Sequence, residues 1–467
     1  MKDGSTIDEV RASIFDRRVT RRGALKFGGG LAAAAAGSRL VLPAYVRAQD
    51  TQLPYTANTS LSGEITFWHF WGSQLRRTAI RRAIALFNGT YPDIKVNETF
   101  VPFGDIWTKN LAAVAAGSGM PDVIVEDRPS LKDRAKNNVE ISLGDLAKRD
   151  GVTGEKFWPF TWTEATTTDG VPYGLPYETD IRVIYYNKAA FTDAGLDPNT
   201  PPANWDDLWS FSDKLDQKDG NDLTRVGFFP TFGNVGLDQW AWNNGGSWQD
   251  AQDNPTMNAA PNVAALDWMK KWADRYGWDN VQSLQSTFGS GNQDGFMTGK
   301  VAMIVDIQGY TAVIGYFNPQ FQDKDGNNAG YGVAKITPAP GHDPAALSGG
   351  FALAIPTGSK NTDQAWEFIK YMAFVGQQSW ARDTYAMPTI EEMAKTDPVL
   401  QASPNWPLFV EAMGYGRAKE YNPYYPAFTS DLIPPATLAA LSGDQTPQQA
   451  LDDAQQKAVA EVNKNKG

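Results

Sequence analysis

The sequence V-P-Y-G-L-P-Y-E-T-D-I-R-V-I-Y-Y-N-K occupies residues Val171–Lys188. Proline and glycine alternate through its first half, which forbids a helix and disfavours a regular central strand. The second half, from Ile181 to Tyr186, is typical of a buried β-strand. An extended crossing therefore leads into a core strand. Charged residues lie where the two halves join: Glu178, Asp180 and Arg182.

The composition excludes several classes of function. The 467-residue chain has no cysteine, so disulfides, thiolate metal sites and cysteine nucleophiles are excluded. It has 2 histidines, too few for an imidazole metal cluster, and we expect neither a metal nor a cofactor. The net charge of −11 argues against binding to nucleic acid or to an anionic membrane. The length suffices for two or three domains with sizeable cores.

Aromatic residues are more numerous than a core needs. The chain contains 16 Trp and 17 Tyr, residue types that are seldom fully buried. A hydrated cleft lined with aromatic faces would use them, and such a cleft is suited to binding a sugar.

The first 48 residues resemble a twin-arginine export signal. Arg21-Arg22 precede the Gly/Ala-rich apolar run Phe27–Gly37, and Val46-Arg47-Ala48 has the spacing of a signal-peptidase site. A membrane anchor is the alternative, but Arg39 interrupts the run well before the roughly 20 residues that a span needs. We expect cleavage, a polar leader over residues 49–62, and a soluble protein outside the cytoplasm.

The next segment alternates strands and helices. Strands are predicted at Gly63–Gly72, Ile94–Val101 and Pro121–Val125, with helical apolar spacing between them. This order predicts a parallel α/β sheet, with ligands bound at the carboxyl ends of its strands. Four residues at predicted strand ends are candidate ligand contacts: Trp71, Glu126, Asp127 and Arg128.

Several segments, in this order, resemble the extracellular solute-binding proteins of carbohydrate ABC transporters, the maltose-binding-protein class. They are Ile65–Gly72, Gly117–Val123, Leu175–Lys188, Phe296–Met303, Gly349-Gly350-Phe351 and Met387-Pro388. The resemblance covers nearly the whole chain after the signal. It implies an α/β fold of two discontinuous lobes with sugar bound between them, and a monomer that docks on a membrane permease.

On that template we predict the lobe boundaries. Residues 63–175 and 286–348 are expected in lobe one, and residues 176–285 and 349–467 in lobe two. The opening stretch then becomes the first crossing between the lobes.

The resemblance also suggests ligand contacts. Asp180 occupies the position of a carboxylate that accepts hydrogen bonds from sugar hydroxyls, a role suited to an ionised acid. The alternative is an ion pair with Arg182, which shares its strand face. Arg182 is itself a candidate contact. The cluster Glu126–Arg128 falls where the family's third strand delivers polar contacts, with a solvent-exposed loop as the alternative.

The remaining candidates lie further along the chain. Trp240 and Trp242 would share a face if extended, and can form a platform for a pyranose ring or pack in a core. Tyr310 is expected to stack on the ligand, Asp306 to contact it, and Gly350 to offer backbone N–H groups. Turn capping is the alternative for Tyr310 and Asp306, and close packing is the alternative for Gly350. Arg382 is either a clamp for hydroxyls or a helix-surface residue.

The prediction is thus a binding protein, without enzymatic activity, for a di- or oligosaccharide. One alternative is a binding protein for another polar solute, such as a glycerol phosphodiester, a polyamine or a peptide. Another is an exported glycosidase or lyase, which needs two carboxylates about 5–10 Å apart. The carboxylates available for that role are Glu164, Glu178 and Asp180.

Overall fold

The structure is a computed structural model that describes residues 53–220, 222–289, 293–318, 321 and 330–466. The twin-arginine segment therefore lies outside the described residues. No helix in the described part of the chain is long and apolar enough to cross a membrane.

Twelve strands are described, which we number along the chain. They are β1 (Gly63–His69), β2 (Ile94–Phe100), β3 (Val123–Asp127), β4 (Gly174–Thr179), β5 (Arg182–Asn187), β6 (Gln217–Asp219), β7 (Asp222–Arg225), β8 (Met303–Ile307), β9 (Tyr331–Ala334), β10 (Ala346–Leu347), β11 (Gly350–Ala354) and β12 (Gly416–Arg417).

The α-helices are numbered in the same way. They are α1 (Gln74–Thr90), α2 (Asp105–Ala116), α3 (Leu131–Lys136), α4 (Gly144–Asp150), α5 (Pro159–Ala165), α6 (Lys188–Asp193), α7 (Trp205–Leu215), α8 (Leu237–Trp242), α9 (Ala260–Tyr276), α10 (Trp278–Ser286), α11 (Tyr310–Phe317), α12 (Thr362–Tyr371), α13 (Gln377–Thr384), α14 (Glu391–Thr396), α15 (Pro398–Gln401), α16 (Trp406–Met413), α17 (Phe428–Ser442) and α18 (Pro447–Lys466). A π-helical turn, Met372–Gly376, joins α12 to α13.

The first sheet forms as the sequence predicts. Helix α1 begins at Ser73, whose hydroxyl accepts a hydrogen bond from the N–H of Arg76 at 3.2 Å. Its apolar stripe from Ala79 to Phe87 is buried, so the helix covers one face of the sheet. Strand β1 pairs in parallel with β2 and with β3. The predicted parallel α/β unit is confirmed.

Two main sheets define two lobes. The five-stranded sheet has the order β2-β1-β3-β11-β4, and the three-stranded sheet has the order β8-β5-β9. Each sheet packs into its own cluster of buried side chains. Lobe one comprises residues 53–179 and 350–384, and lobe two comprises residues 182–347 and 391–466. The two-lobed α/β fold is therefore confirmed.

The predicted lobe boundaries were wrong in the middle of the chain. Strands β8 and β9, from the segment assigned to lobe one, pair with β5 in lobe two. Strand β11, which was assigned to lobe two, pairs with β3 and β4 in lobe one. All three are short apolar strands, and such a strand carries little information about which distant strand it will join.

Part of the predicted polar leader belongs to the lobe-one core. Tyr55 is buried, and the N–H of Thr56 donates to the carbonyl of Asp150 at 3.0 Å. Lys370, fully buried, donates to the carbonyl of Thr56 at 2.6 Å and to the carboxylate of Asp150 at 2.5 Å. A buried ammonium group needs such partners. They fix residues 53–57 against α4 and α12.

Candidate functional site

Three crossings connect the lobes and contact one another. The first is 180–181 between β4 and β5, the second is 348–349 between β10 and β11, and the third is 385–390 after α13. Thr179 and Met387 exchange backbone hydrogen bonds of 3.0 and 3.1 Å. The hydroxyl of Thr179 also donates to the carbonyl of Gly349 at 2.9 Å. The crossings therefore form one hydrogen-bonded hinge.

A cavity of about 350 Å³ opens beside this hinge, between the lobes. Fifteen residues line it: Phe70, Arg76, Phe103, Glu178, Thr179, Asp180, Asn234, Ile307, Gln308, Gly309, Gly350, Phe351, Thr384, Tyr385 and Ala386. Both lobes contribute, and so do the first and third crossings. Among the described residues, no group of three His, Asp or Glu side chains is placed to hold a metal ion.

The lobe-one wall of the cavity is aromatic. The ring centroid of Phe70 lies 5.0 Å from that of Phe103 and 4.7 Å from that of Phe351, in edge-to-face arrangements. Phe103 is 54% exposed although its neighbours are apolar. Phe70 and Phe103 follow β1 and β2, at the carboxyl edge of the parallel strands, where the sequence predicted a ligand. An exposed ring held by other rings offers a rigid stacking surface.

Tyr385 closes the cavity at the third crossing. Its backbone is left-handed, with φ of 59°, a conformation in which a bulky residue is an outlier. It ends α13, and its carbonyl accepts a hydrogen bond from the side-chain amide of Gln308 at 3.4 Å. Strained backbone of this kind concentrates at binding sites and hinges.

Asp180 lies in the cavity wall and in the hinge at once. Its Oδ1 accepts hydrogen bonds from the N–H of Gly349, at 2.7 Å, and from the guanidinium of Arg182. The ion pair that the sequence offered as an alternative is therefore present. Within the described structure no hydrogen bond reaches Oδ2, and 21% of the side chain is exposed. Asp180 can hold the hinge with one oxygen and accept from a ligand with the other.

Arg182 is placed to orient other groups. It is buried, and its guanidinium donates to the Oδ1 of Asn234 at 3.1 Å as well as to Asp180. Asn234 lines the cavity, whereas Arg182 does not. The structure thus places Arg182 behind the cavity wall, between two lining residues.

Gly350 lines the cavity at the start of β11. Its φ is 125°, and a Cβ atom there would collide with the carbonyl oxygen of Glu178 on β4. Gly350 therefore packs closely against β4, which was the alternative to a ligand contact.

Asp306 and Tyr310 lie behind the cavity rather than in it. Burial raises the pKa of Asp306 to about 7, and its Oδ1 accepts from the N–H of Ile307 at 2.7 Å. Tyr310 is buried, and its hydroxyl donates to Asp294 at 2.6 Å. A fully packed ring cannot stack on a ligand in this arrangement, so the prediction for Tyr310 was wrong for the described conformation.

The cluster Glu126–Arg128, at the carboxyl end of β3, is split between three environments. Arg128 is fully buried, donating to Glu164 at 3.1 Å and to the carbonyls of Glu178, at 3.3 Å, and Gly349. Glu126 is also buried, accepts from Arg134 at 2.7 Å, and has its pKa raised to about 7 by burial. Neither is an exposed loop residue or a free ligand contact.

Asp127 alone of that cluster is partly exposed. Burial raises its pKa, opposed first by the charge of Lys419 in lobe two, and Asp180 lies within electrostatic range. It therefore faces the space between the lobes, although it does not line the hinge cavity.

Trp71, a candidate ligand contact at the end of β1 with core packing as the alternative, packs in the lobe-one core. The side chain is 0% exposed, and its ring centroid lies 4.4 Å from that of Trp380. Residue 71 is in phase with the buried Ile65, Phe67 and His69 of β1, so the alternation of a strand directs it beneath the helices. Phe70, one residue earlier, reaches the cavity instead.

The proposed platform of Trp240 and Trp242 does not form. Both residues lie in α8, where positions i and i+2 point to different sides, rather than in an extended segment. Trp240 is fully buried and donates to the carbonyl of Pro230 at 2.7 Å, and Trp242 donates to Glu420 at 3.0 Å. Core packing accounts for both.

Arg382 is a helix-surface residue. Its guanidinium contacts the carboxylate of Asp397, with nitrogen–oxygen distances of 2.7 to 3.2 Å. That pair joins α13 to α15 and lies outside the residues that line the hinge cavity. The structure therefore supports the helix-surface alternative for Arg382 over the hydroxyl clamp.

Sequence reasoning missed most of the aromatic wall. Phe70 and Phe351 lie inside segments that resemble the solute-binding family. Phe103 follows β2, just as Trp71 follows β1. Applying the period of two to β1, with Phe67 as a core residue, would have selected Phe70 over Trp71. No signal in the sequence marked Tyr385, Asn234 or Gln308.

A second cavity of about 430 Å³ lies in lobe two. Its lining includes Val235, Trp278 and an apolar stripe of α17, and all of its lining residues belong to lobe two.

Known proteins resemble this chain along most of its length. The arabinooligosaccharide-binding protein of Bacillus subtilis is 26% identical over 427 residues, which cover 84% of this chain and 90% of that protein. The sn-glycerol-3-phosphate-binding periplasmic protein UgpB of Rhizobium meliloti is 23% identical over 310 residues, 62% of this chain and 64% of that protein. The solved structure of CpMnBP1 with mannotriose bound superposes with a TM-score of 0.72, at 28% identity, over 85% of this chain and 99% of that one.

These similarities agree with a match to a whole family. Residues 72–379, which include most of the residues that line the hinge cavity, match the family model of bacterial extracellular solute-binding proteins. Two lobes, three crossings and a cavity between them are what a protein that binds a solute by enclosing it requires. The chain belongs to the bacterial extracellular solute-binding protein family.

Proposed function

We propose that this protein binds a di- or oligosaccharide between its lobes and serves as the extracytoplasmic binding component of an ABC importer. The observation that carries the proposal is the composition of the hinge cavity. Its aromatic wall (Phe70, Phe103, Phe351 and Tyr385) faces groups that accept or donate hydrogen bonds (Asp180, Asn234 and Gln308). Sugars combine apolar C–H faces with hydroxyl groups, and such a site matches both.

The relatives support a ligand of more than one sugar unit. One relative is named as binding arabinooligosaccharides, and a similar solved structure contains mannotriose.

Binding is proposed to close the lobes. Aromatic rings come mainly from lobe one, and Asn234 and Gln308 come from lobe two, so only an arrangement with the lobes together satisfies a bound sugar. A desolvated hydroxyl left without a partner costs about 1–3 kcal/mol, so the second lobe contributes strongly to affinity. The closed protein would then deliver its ligand, as a soluble monomer outside the cytoplasm, to a membrane permease.

Calorimetric titration of the mature chain tests the proposal. The panel contains arabino-, malto- and manno-oligosaccharides of two to four units, their monosaccharides, and sn-glycerol 3-phosphate. We expect saturable heat with at least one oligosaccharide. A response to glycerol phosphate alone would instead support the alternative of another polar solute, and no response to any sugar contradicts the proposal.

An assay for reducing sugar on the best ligand separates binding from hydrolysis. Of the three carboxylates suited to a glycosidase, Glu164 is paired with the buried Arg128, and Glu178 accepts a hydrogen bond from the indole of Trp380 at 2.5 Å. These bonds fix both side chains in supporting roles. We therefore expect the ligand to be recovered intact after prolonged incubation.

A further inference from the structure

Residues 416–425 of lobe two contact lobe one at a place separate from the three crossings. The segment begins with β12, which pairs in parallel with β10. The N–H of Ser348, one residue after β10, donates to the carbonyl of Arg417 at 3.0 Å. The segment is therefore connected directly to the second crossing.

Lobe two holds this segment firmly. The carboxylate of Glu420 accepts from the indole of Trp242 at 3.0 Å and from the N–H groups of Trp248, at 2.7 Å, and Gln249, at 2.9 Å. The side chain of Asn422 donates to the carbonyl of Asp253 at 2.8 Å. These bonds make the segment a rigid part of lobe two.

Its other side contacts α3 and α5 of lobe one. The ammonium of Lys136 donates to the carbonyl of Pro423 at 2.7 Å. The ammonium of Lys132 lies 5.4 Å from the ring centroid of Tyr421, within range of a cation–π interaction. The charge of Lys419 in the same segment opposes the burial that raises the pKa of Asp127 in lobe one. A cavity of about 270 Å³ between the same residues leaves room for the lobes to move.

These contacts are strong enough to shift an equilibrium between two arrangements of the lobes without locking it. Lys136 and Lys419 are exposed, and the contacts of exposed ammonium groups are weak. A cation–π contact at a partly exposed site is of similar strength. Their sum can shift the populations of two lobe arrangements severalfold, yet it is small enough to break when the lobes separate.

We propose that residues 416–425 are an interlobe latch, which favours the narrowed cleft before any solute binds by engaging Lys132 and Lys136. This inference rests on the lobe movement of the proposed function, but not on the identity of the solute. Lobe two would carry the latch, and a separation of the lobes would release both lysines together.

The absence of cysteine from the chain allows a direct test. Ala115→Cys on α2 and Lys457→Cys on α18 are exposed sites, one on each lobe, for a pair of spin labels. Electron–electron distance measurements on the unliganded full chain then report the separation of the lobes. The test variant is Lys132→Met/Lys136→Met, and Tyr421→Ala removes the aromatic partner from the other side.

The matched control is Lys109→Met/Lys148→Met. It removes the same charge from exposed sites of lobe one, where no contact with lobe two is described. We expect the ratio of long to short distances to rise about three- to tenfold in the test variants, since contacts worth about 1 kcal/mol are lost. The control should match the parent.

An unchanged distribution, a shift to shorter distances, or an equal shift in the control would each overturn the latch. Melting temperatures of the unliganded variants should stay near that of the parent, because the removed groups lie at the surface. The measurement needs no ligand, so a parent that binds no sugar but opens when its latch is removed would refute the proposed function and leave the latch in place.

Discussion

At the scale of single residues, Asp180 can hold the hinge with one carboxylate oxygen and bind a ligand with the other. Oδ1 accepts from Gly349 and Arg182, and the carboxylate also lies in the wall of the hinge cavity. The sequence suggested both roles for this residue as competing readings. The geometry makes them compatible, because each oxygen of a carboxylate has its own lone pairs.

Asp180→Asn tests the binding role. The amide oxygen can still accept from the N–H of Gly349, but the charge that strengthens hydrogen bonds from sugar hydroxyls is lost. We expect sugar affinity, measured by calorimetry, to fall about tenfold, or about 1.4 kcal/mol. Asp180→Ala should lower the unliganded melting temperature as well, since it leaves the Gly349 N–H without its acceptor. Unchanged affinity in Asp180→Asn would mean that Asp180 only supports the hinge.

Asp306 makes stability depend on pH. Its pKa is raised to about 7 because burial disfavours the charged form, so the folded state holds a proton that the unfolded chain has already lost near neutral pH. The stability that this bound proton contributes is present at low pH and is lost as the pH rises toward 7. Urea unfolding should show stability falling by about 1–3 kcal/mol between pH 5.5 and pH 8.

Asp306→Asn provides the control for that pH dependence. Asparagine resembles the neutral acid and can still accept from the N–H of Ile307. The variant should lose part of the slope. A slope identical to that of the parent would assign the pH dependence to the other buried acids, Glu126 and Glu164, whose pKa values are also raised to about 7 by burial.

At the scale of elements, β11 connects the hinge to the lobe-one sheet. It lies between β3 and β4, antiparallel to both, and its pairing shifts register between Phe351 and Ala352. Gly350 permits this arrangement, since its positive φ and its approach to β4 exclude a side chain. The same strand directs Phe351 into the cavity. Strand pairing and the aromatic wall therefore depend on one glycine.

Gly350→Ala is expected to destabilise the protein by about 1–3 kcal/mol, measured by urea unfolding, and to weaken sugar binding. Gly341→Ala is the matched control. Its φ of 83° is also positive, but a Cβ atom there meets no atom within 4 Å. If both variants lose the same stability, the cost is backbone strain alone and the packing against β4 contributes nothing.

At the scale of the whole molecule, each lobe has its own core, and the two lobes are joined by the hinge and by further contacts such as the Arg382–Asp397 pair. A solute bound between them stabilises both lobes at once. With ligand at 100 times its dissociation constant, the expected gain is about 2.7 kcal/mol. Differential scanning calorimetry should show the transitions of both lobes moving to higher temperature.

Small-angle scattering provides the matching test of shape. The radius of gyration of the mature chain should decrease when the best oligosaccharide saturates it, because the lobes come together. A monosaccharide that does not bind serves as the control. Stabilisation of one lobe only, with no change in the radius of gyration, would place the ligand on a single lobe and contradict closure.

The amino-acid sequence by itself determined the local architecture. The strand predicted at Gly63–Gly72 and the apolar spacing of α1 are short-range patterns, and each predicted its element correctly. The Pro/Gly-rich stretch was predicted as a crossing, whereas residues Gly174–Thr179 form strand β4 and the crossing follows at 180–181. The edge of the sheet where a ligand would be expected, and Asp180 at the hinge, also followed from such patterns together with the family resemblance.

Only the tertiary structure decided the partners of short strands and the exposure of aromatic rings. Strands β8 and β11 look alike in sequence, yet they belong to different lobes because pairing is set by contacts distant along the chain. Trp71, Trp240 and Tyr310 are buried, while Phe103 is exposed, although all four are aromatic residues near element ends. Burial depends on what packs against a side chain, and that is a property of the assembled lobes rather than of any segment.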